Sequence, residues 1–244
     1  MWYKLKRIMM RPNGVEKQVR PDNRWQPWVN TILYIPMEND LLDYSWNNIS
    51  ITVNWVSLGT TGGVSAWYWA NWEGTARYLQ LGNGVASHIS DTPFTVSCWT
   101  NRSWEYASGV HWTTVGMFGM YQSWPFRWTC VALNPDNWWQ SERLWAWWIS
   151  SYVYSLANEW TLMTLVMSSS KSELYKNGNL IWSVSWNWNK TFSNFCVWCD
   201  WYDSDWTKYR HWRWYLSNFI LEDKERTAQE ISDYYDQTKS NYWL

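Results

Sequence analysis

The sequence predicts an all-β protein, an antiparallel β-sandwich of the jelly-roll type with one short C-terminal helix. Short apolar runs alternate with turn signals along most of the chain, which is typical of sandwiches and jelly rolls. Clear helix signals occur in one segment, close to the end. The chain has 244 residues, which is enough to bury a large core, and all-β folds of this length often form a single domain.

The predicted strands begin at Thr31. They cover 31–35, closed by Pro36, then 49–53, 78–81, 94–99, 162–167, the two arms of a hairpin within 174–181, and 216–221. The clearest local signal is Asn177-Gly178 between two apolar runs. This dipeptide favours a type I′ turn, because both central residues of that turn need a positive φ.

The one predicted helix begins at Thr227-Ala-Gln-Glu230. This pattern is a capping box, in which the threonine side chain and the glutamate side chain each satisfy the other residue's backbone N–H. Ala228, Ile231 and Tyr235 then fall on one helical face. Because so short a helix is marginal in isolation, we expect it to pack on the sandwich.

Charge divides the chain into a basic arm, residues 1–30, and a domain, residues 31–244. Residues 1–24 carry seven Lys or Arg and two acidic residues, whereas the whole chain has a net charge of −1. That balance argues against nucleic-acid binding driven by charge over the whole chain. The arm is either a solvated leader or a docking segment for a larger assembly, and its charge alone does not decide between them.

Neither a membrane span nor a secretory signal is predicted. No apolar run reaches 18 residues, and the basic start lacks the apolar region that a signal peptide needs. The four cysteines are too few for a disulfide scaffold. Cys196-Val-Trp-Cys199 is a lone CxxC with no histidine near it in the sequence, so buried or half-buried thiols on strands are favoured over a zinc site.

Tryptophan is unusually frequent, with 28 Trp against 11 Gly. Ten of the Trp follow Asn, Asp or Ser, where a turn dipeptide normally has glycine. One hypothesis is that the source reads the UGA codon as glycine and that many of these Trp are translation artefacts. The other is a Trp-rich surface that stacks on ligand, but exposed Trp at this density is an aggregation liability. We favour recoding for the turn positions, whereas Trp99 and Trp160 lie on predicted strands and fit as genuine Trp.

Several motifs in order resemble one superfamily. They are the opening strand and turn 34–47, with Trp46 where a glycine is expected; Phe94-Thr-Val-Ser-Cys-Trp99; the hairpin segment 160–181; the strand 214–220; and the closing helix 227–235. Over about residues 31–239 the chain resembles the concanavalin A-like lectin/glucanase superfamily, specifically its LamG-type jelly rolls. The family pattern has glycine where this chain has Trp46, Trp182, Trp198 and Trp214, which agrees with the recoding hypothesis.

Three aspartates form the candidate metal site. Asp200, Asp203 and Asp205 lie within six residues, and calcium binds through 6–8 oxygen ligands. The segment is either a solvated acidic turn or a calcium loop. The resemblance implies calcium as the cofactor, because LamG-like relatives often carry a rim calcium. The loop does not have the EF-hand pattern, since the twelfth position from Asp200 is His211.

The functional expectation is a non-catalytic module that binds a carbohydrate or a cell-surface partner through loops on one rim. The resemblance includes glucanases with a Glu-x-Asp-x-x-Glu strand. Here the nearest match, Glu38-Asn-Asp40-Leu-Leu-Asp43, ends in Asp and lies in the opening turn, so we do not expect an enzyme. A structural or adhesive virion component is the alternative, and a glycoside hydrolase is the third and disfavoured interpretation. The first two imply an extracellular or virion-surface location.

Overall fold

The computed structural model describes the backbone of most of the chain. The described residues are 9–10, 16–17, 29–37, 41–54, 57–58, 64–65, 78–89, 93–101, 115–122, 129–135, 141–146, 149–154, 159–185, 192–197, 199–202, 208–211 and 215–242. Side-chain environments are described for 29–37, 41–53, 79–81, 85, 87–89, 93–101, 159–183, 185, 197 and 216–242.

The described residues contain mostly strands. The strands are β1 (Met9–Met10), β2 (Glu16–Lys17), β3 (Thr31–Ile35), β4 (Thr52–Asn54), β5 (Ser57–Leu58), β6 (Val64–Ser65), β7 (Tyr78–Gln80), β8 (Phe94–Asn101), β9 (Val115–Gln122), β10 (Thr129–Pro135), β11 (Ser141–Ala146), β12 (Ile149–Tyr154), β13 (Trp160–Met167), β14 (Lys171–Lys176), β15 (Asn179–Ser185), β16 (Phe192–Val197), β17 (Cys199–Tyr202), β18 (Lys208–His211) and β19 (Tyr215–Glu222). The helices are α1 (Gly82–Ile89) and α2 (Ala228–Thr238), and a 3₁₀ turn, Lys239–Tyr242, follows α2.

Two large antiparallel sheets form the sandwich. The described strands of one sheet have the order β12-β11-β10-β9-β16-β7-β4, and we call it the seven-stranded sheet. Those of the other have the order β15-β14-β13-β8-β19-β6-β5, with β3 also paired to β19, and we call it the eight-stranded sheet. Strands β1 and β2 pair with each other, as do β17 and β18. The predicted fold class, an antiparallel β-sandwich of jelly-roll type with a short C-terminal helix, is confirmed.

The sandwich interior is built by alternate residues of the strands. On β8, Phe94, Val96 and Cys98 belong to the main apolar core. On the seven-stranded sheet, Leu79 and Val197 are fully buried in the same core. Successive side chains of a strand point to opposite faces of its sheet. The remaining residues of β8 therefore lie on the outer face of the eight-stranded sheet.

Helix α2 and the 3₁₀ turn cover that outer face. The indole of Trp99 is fully buried there and donates to the Thr238 hydroxyl over 3.2 Å. Its ring stacks on the ring of Tyr242, with centroids 4.2 Å apart. Ile231 and Tyr234 add apolar contacts to the same layer. Both faces of the eight-stranded sheet are thus buried, so its central strands are apolar in long runs rather than strictly alternating.

The predicted turn and helix start have the expected geometry. Asn177 and Gly178 have φ values of 50° and 81°, as a type I′ turn requires. The Asn177 side chain also accepts from the Leu162 amide over 2.8 Å. At the helix, the Glu230 amide donates to the Thr227 hydroxyl oxygen over 3.2 Å, and the Thr227 amide donates to the Glu230 carboxylate over 2.9 Å.

Two helix expectations need correction. Helix α1 was not predicted, because Gly82 and Asn83 read as turn residues, yet Val85 and Ile89 are buried four residues apart on its inner side. On α2 the buried residues are Ile231, Tyr234 and Thr238, whereas Ala228 is exposed. The face that packs is therefore rotated from the predicted one, because the aromatic layer around Trp99 takes up Tyr234.

A buried ion pair lies beside this layer. The Glu222 and Arg226 side chains are 1% and 5% exposed, and Arg226 binds the carboxylate through Nε and, over 2.9 Å, through Nη2. The guanidinium also lies over the ring of Tyr234, 5.2 Å from its centroid. Burial raises the pKa of Glu222 although Arg226 lowers it. The net direction means that the carboxylate is held charged against a desolvation cost.

The described tryptophans do not need glycine geometry. Among the described residues, the non-glycine residues with a left-handed φ are Met37, Asn48, Asn177 and Asn218. Trp46 and Trp182 therefore adopt backbone conformations open to any residue. Trp182 packs against the sandwich core, and Trp46 is 42% exposed. Trp198 and Trp214 lie outside the described residues, and codon recoding stays a prediction.

Candidate binding face

The two faces of the seven-stranded sheet are identified by one apolar row. A row here means residues that the strand register places directly opposite one another across the sheet. Leu79 and Val197 are opposite each other and are both fully buried in the sandwich core. The same row continues to Val53 on β4, Phe118 on β9 and Val131 on β10. All five residues are apolar, so this row belongs to the face that covers the interior.

The next row is polar or small. It contains Thr52, Gln80, Cys196, Gly119 and Cys130, one residue from each of five adjacent strands. Thr52 is exposed and Gln80 is half-buried. Since neighbouring residues of a strand alternate between faces, this row belongs to the outer face of the seven-stranded sheet, which we call the outer face.

A third row adds the residue types used in ligand recognition. Asn134 on β10, Arg143 on β11 and Tyr152 on β12 are opposite one another. Asn134 is four residues from Cys130 on the same strand. The irregularity between β9 and β10 at Val131/Ala132 skips a residue of β9, so the alternation along β10 continues unbroken. The register therefore assigns this row to the outer face as well.

The hairpin of β17 and β18 lies against the same sheet. Strand β17 approaches β9 and β10, and β18 also approaches β9. Within the described part of the chain, β17 pairs only with β18. Because β10 and β16 flank β9 on opposite sides, a strand that reaches both β9 and β10 crosses a face rather than extending an edge. Gly116 and Gly119 of β9 lie in outer-face rows, and glycine permits this close backbone approach.

The candidate calcium ligands belong to this hairpin. Asp200 lies on β17, and the structure places β17 and β18 on either side of the segment that contains Asp203 and Asp205. Those two residues lie outside the described part of the chain. Among the side chains that are described, no cluster of His, Cys, Asp and Glu could hold a metal ion. Calcium binding by Asp200, Asp203 and Asp205 stays a prediction.

Asp43, the last carboxylate of the glucanase-like match, has a structural role. It is 5% exposed. One oxygen accepts from the Tyr34 and Ser45 amides over 3.1 and 2.7 Å, and the other accepts from the Ser45 hydroxyl and the Ile49 amide over 2.7 Å each. Four donors saturate this carboxylate, so it stabilises the opening turn rather than serving as an acid or base. Glu38 and Asp40 lie outside the described residues.

Three solved structures share this fold. Domain 4 of AbnA, a GH43 extracellular arabinanase from Geobacillus stearothermophilus solved in complex with arabinotriose, aligns with a TM-score of 0.56 at 18% identity, covering 84% of this chain and 98% of that one. A structure of botulinum neurotoxin type C, described as dependent on two ganglioside molecules for cell entry, aligns with a TM-score of 0.58 at 13% identity, covering 85% and 51%. The Trypanosoma rangeli sialidase aligns with a TM-score of 0.62 at 12% identity, covering 88% and 33%.

At these identities the likeness is one of fold. This chain spans nearly all of the arabinanase domain, about half of the toxin chain and a third of the sialidase chain. No protein-family model matches the sequence, and no curated protein sequence matches it. No helix within the described ranges is long and apolar enough to cross a membrane.

The sequence alone did not reveal the outer face. The residues of its rows come from strands spread between 52 and 196, and several of those strands are not among the predicted ones. The signal that could have found β10 to β12 is weak, because their polar and apolar residues alternate for only a few positions. The register, not the motif order, brings Asn134, Arg143 and Tyr152 together.

Proposed function

We propose that this protein is a non-catalytic carbohydrate-binding module and that a glycan of a cell surface binds on the outer face. The observation that carries the proposal is the row Asn134, Arg143 and Tyr152 on three adjacent strands of a face that does not cover the sandwich interior. None of the three is a tryptophan, so the proposal is the same whether or not the turn Trp residues are genuine.

The chemistry of these residue types fits a sugar. A sugar ring presents hydroxyl groups around its edge and C–H bonds on its faces. Asn can both donate and accept hydrogen bonds, and Arg donates through a planar fork. A tyrosine ring combines an apolar face with a polar hydroxyl. Three neighbouring strands place such groups about 4.8 Å apart, which is close to the size of one sugar ring.

The solved structures of similar fold support a binding role. The arabinanase domain was solved with arabinotriose, and the toxin is described as interacting with gangliosides. Asp43 also weighs against hydrolysis, because its carboxylate is saturated by four donors. A glycoside hydrolase would need a pair of carboxylates flanking the scissile bond, and an unchanged hydrolytic activity in Glu38→Gln would remove its last candidate in the opening turn.

The test is glycan-array screening of the full chain, followed by calorimetric titration of a captured glycan. Arg143→Ala and Tyr152→Ala should each weaken binding at least about tenfold, which corresponds to about 1.4 kcal/mol. Gln229→Ala is the matched control, because Gln229 is exposed on α2, on the far side of the eight-stranded sheet. No capture across a broad panel by folded protein would overturn the proposal, as would equal affinities for all three variants.

A structural or adhesive virion component is the second candidate. The observation that favours it is the basic segment 1–24, with seven basic and two acidic residues, which suits docking onto an acidic assembly partner. Electron microscopy of the full chain provides the test. Ordered oligomers or decorated particles would support this role, and dispersed monomers that attach to no host cell would refute it.

A further inference from the structure

Two cysteines lie on either side of a glycine on the outer face. Cys130 of β10 and Cys196 of β16 are both opposite Gly119 of β9. Adjacent strands are about 4.8 Å apart, so the Cα atoms of the two cysteines are about 10 Å apart. A disulfide needs Cα atoms within about 7 Å. The fold therefore places two thiol residues in one row without allowing them to bond to each other.

The hairpin adds a third cysteine and a histidine. Cys199 of β17 is directly opposite His211 of β18. Opposed residues of an antiparallel pair have Cβ atoms about 5 Å apart. Strand β17 approaches both β9 and β10, and only two residues separate Cys199 from Cys196 in the chain. The Cys199–His211 pair is therefore held near the strands that carry the other two cysteines.

We propose that Cys130, Cys196, Cys199 and His211 form a structural zinc site between the outer face and the hairpin. Cys196 and Cys199 alone are a lone CxxC, for which the sequence offered no nearby partner. The topology supplies the missing pair, one cysteine from β10 and one histidine from β18. Three thiolates and one imidazole are a standard ligand set for a closed tetrahedral zinc site, and soft thiolate ligands favour zinc over calcium or magnesium.

The site would tie the hairpin to the sheet. A hairpin of two short strands is only marginally stable by itself, and here it ends in a segment with three aspartates. Bound zinc would fix its position over Gly116 and Gly119. The proposal is independent of glycan binding, since a structural metal can be present whether or not the outer face binds a sugar.

The experiment uses the full chain, purified under reducing conditions and freed of metal with a chelator. Cobalt(II) is the spectroscopic probe, and zinc content is then measured by elemental analysis. We expect one equivalent of either metal and a thiolate-to-cobalt charge-transfer band that zinc abolishes. Because thiols lose their protons on binding, uptake should weaken as the pH falls. No cobalt band in folded wild-type protein would overturn the proposal.

Variants with matched controls separate this site from adventitious binding. Cys196→Ser and His211→Asn should lower cobalt affinity by at least about tenfold, and Cys130→Ser should lower the charge-transfer intensity by about a third. Cys98→Ala and His88→Asn should leave both unchanged, because Cys98 is fully buried in the sandwich core and His88 is exposed on α1. Equal losses in the control variants, or full binding by Cys130→Ser, would refute the four-residue assignment. Loss of fold in a variant would be seen by circular dichroism, and the wild-type cobalt spectrum then decides.

Discussion

Replacing Arg226 by methionine tests how the buried ion pair is balanced. Glu222 is 1% exposed and Arg226 is 5% exposed, and the two side chains make two contacts with each other. The variant keeps much of the apolar stem of Arg226 but leaves the Glu222 carboxylate without its cation. Removing one partner of a buried pair costs about 3–5 kcal/mol. We therefore expect the free energy of unfolding at pH 7 to fall by about that amount.

The loss should depend on pH in a defined direction. Burial already raises the pKa of Glu222 above its ordinary value of 4.5 while Arg226 is present. Lys224 lowers this pKa and Glu230 raises it, so removing Arg226 leaves burial dominant. A group whose pKa is higher in the folded state binds its proton more tightly there. The variant should therefore regain stability relative to the wild type as the pH falls from 7 toward about 4.5.

Urea unfolding followed by tryptophan fluorescence at pH 7 and pH 5 measures both effects. Glu222→Leu combined with Arg226→Met is the control, because replacing both charges with apolar groups of similar size is often neutral or stabilising. The reasoning is refuted if Arg226→Met costs less than about 1 kcal/mol at pH 7, or if its cost is the same at both pH values. A double variant as unstable as the single one would assign the loss to packing against Tyr234.

Three further substitutions test the helix layer. Gly178→Ala should lower stability by about 1–3 kcal/mol in thermal unfolding, because φ at Gly178 is +81° and a Cβ would lie 3.1 Å from the Cα of Ser232; no change would contradict the left-handed turn. Trp99→Ala should cost about 3–5 kcal/mol in urea, since a fully buried indole is removed; a cost below about 1 kcal/mol would mean that α2 packs elsewhere. Thr227→Ala should cost about 1 kcal/mol and speed amide exchange in the first turn of α2; unchanged exchange there would argue against the capping box.

Local patterns predicted the parts of the fold that local physics determines. Asn177-Gly178 specifies its turn because both residues tolerate a positive φ, and the Thr227–Glu230 capping box is complete within four residues. The central strands were found for a related reason, since their long apolar runs are unambiguous. Helix α1 was missed because its two buried residues carry little signal without the core they contact.

The candidate binding face depends on contacts that no local pattern contains. Asn134, Arg143 and Tyr152 come from three consecutive strands whose register is set by long-range pairing, not by their own residues. Cys199 and His211 are twelve residues apart in the sequence, and only the pairing of β17 with β18 makes them neighbours. Motif spacing gave the acidic segment 200–205 but not the strands on which it is mounted.

The pairing of β3 with β19 has a consequence for how the protein is made. The hydrogen bond from Tyr34 to Asn218 joins residues 184 positions apart, and β3 is the first strand of the sandwich to leave the ribosome. Its partner is the last strand to appear, so β3 waits through nearly the whole of synthesis with apolar residues uncovered. Folds dominated by such distant contacts close slowly, and unpaired strands of this kind aggregate when they persist. We therefore expect the yield of soluble protein to depend strongly on the synthesis temperature and on chaperones that shield the N-terminal half.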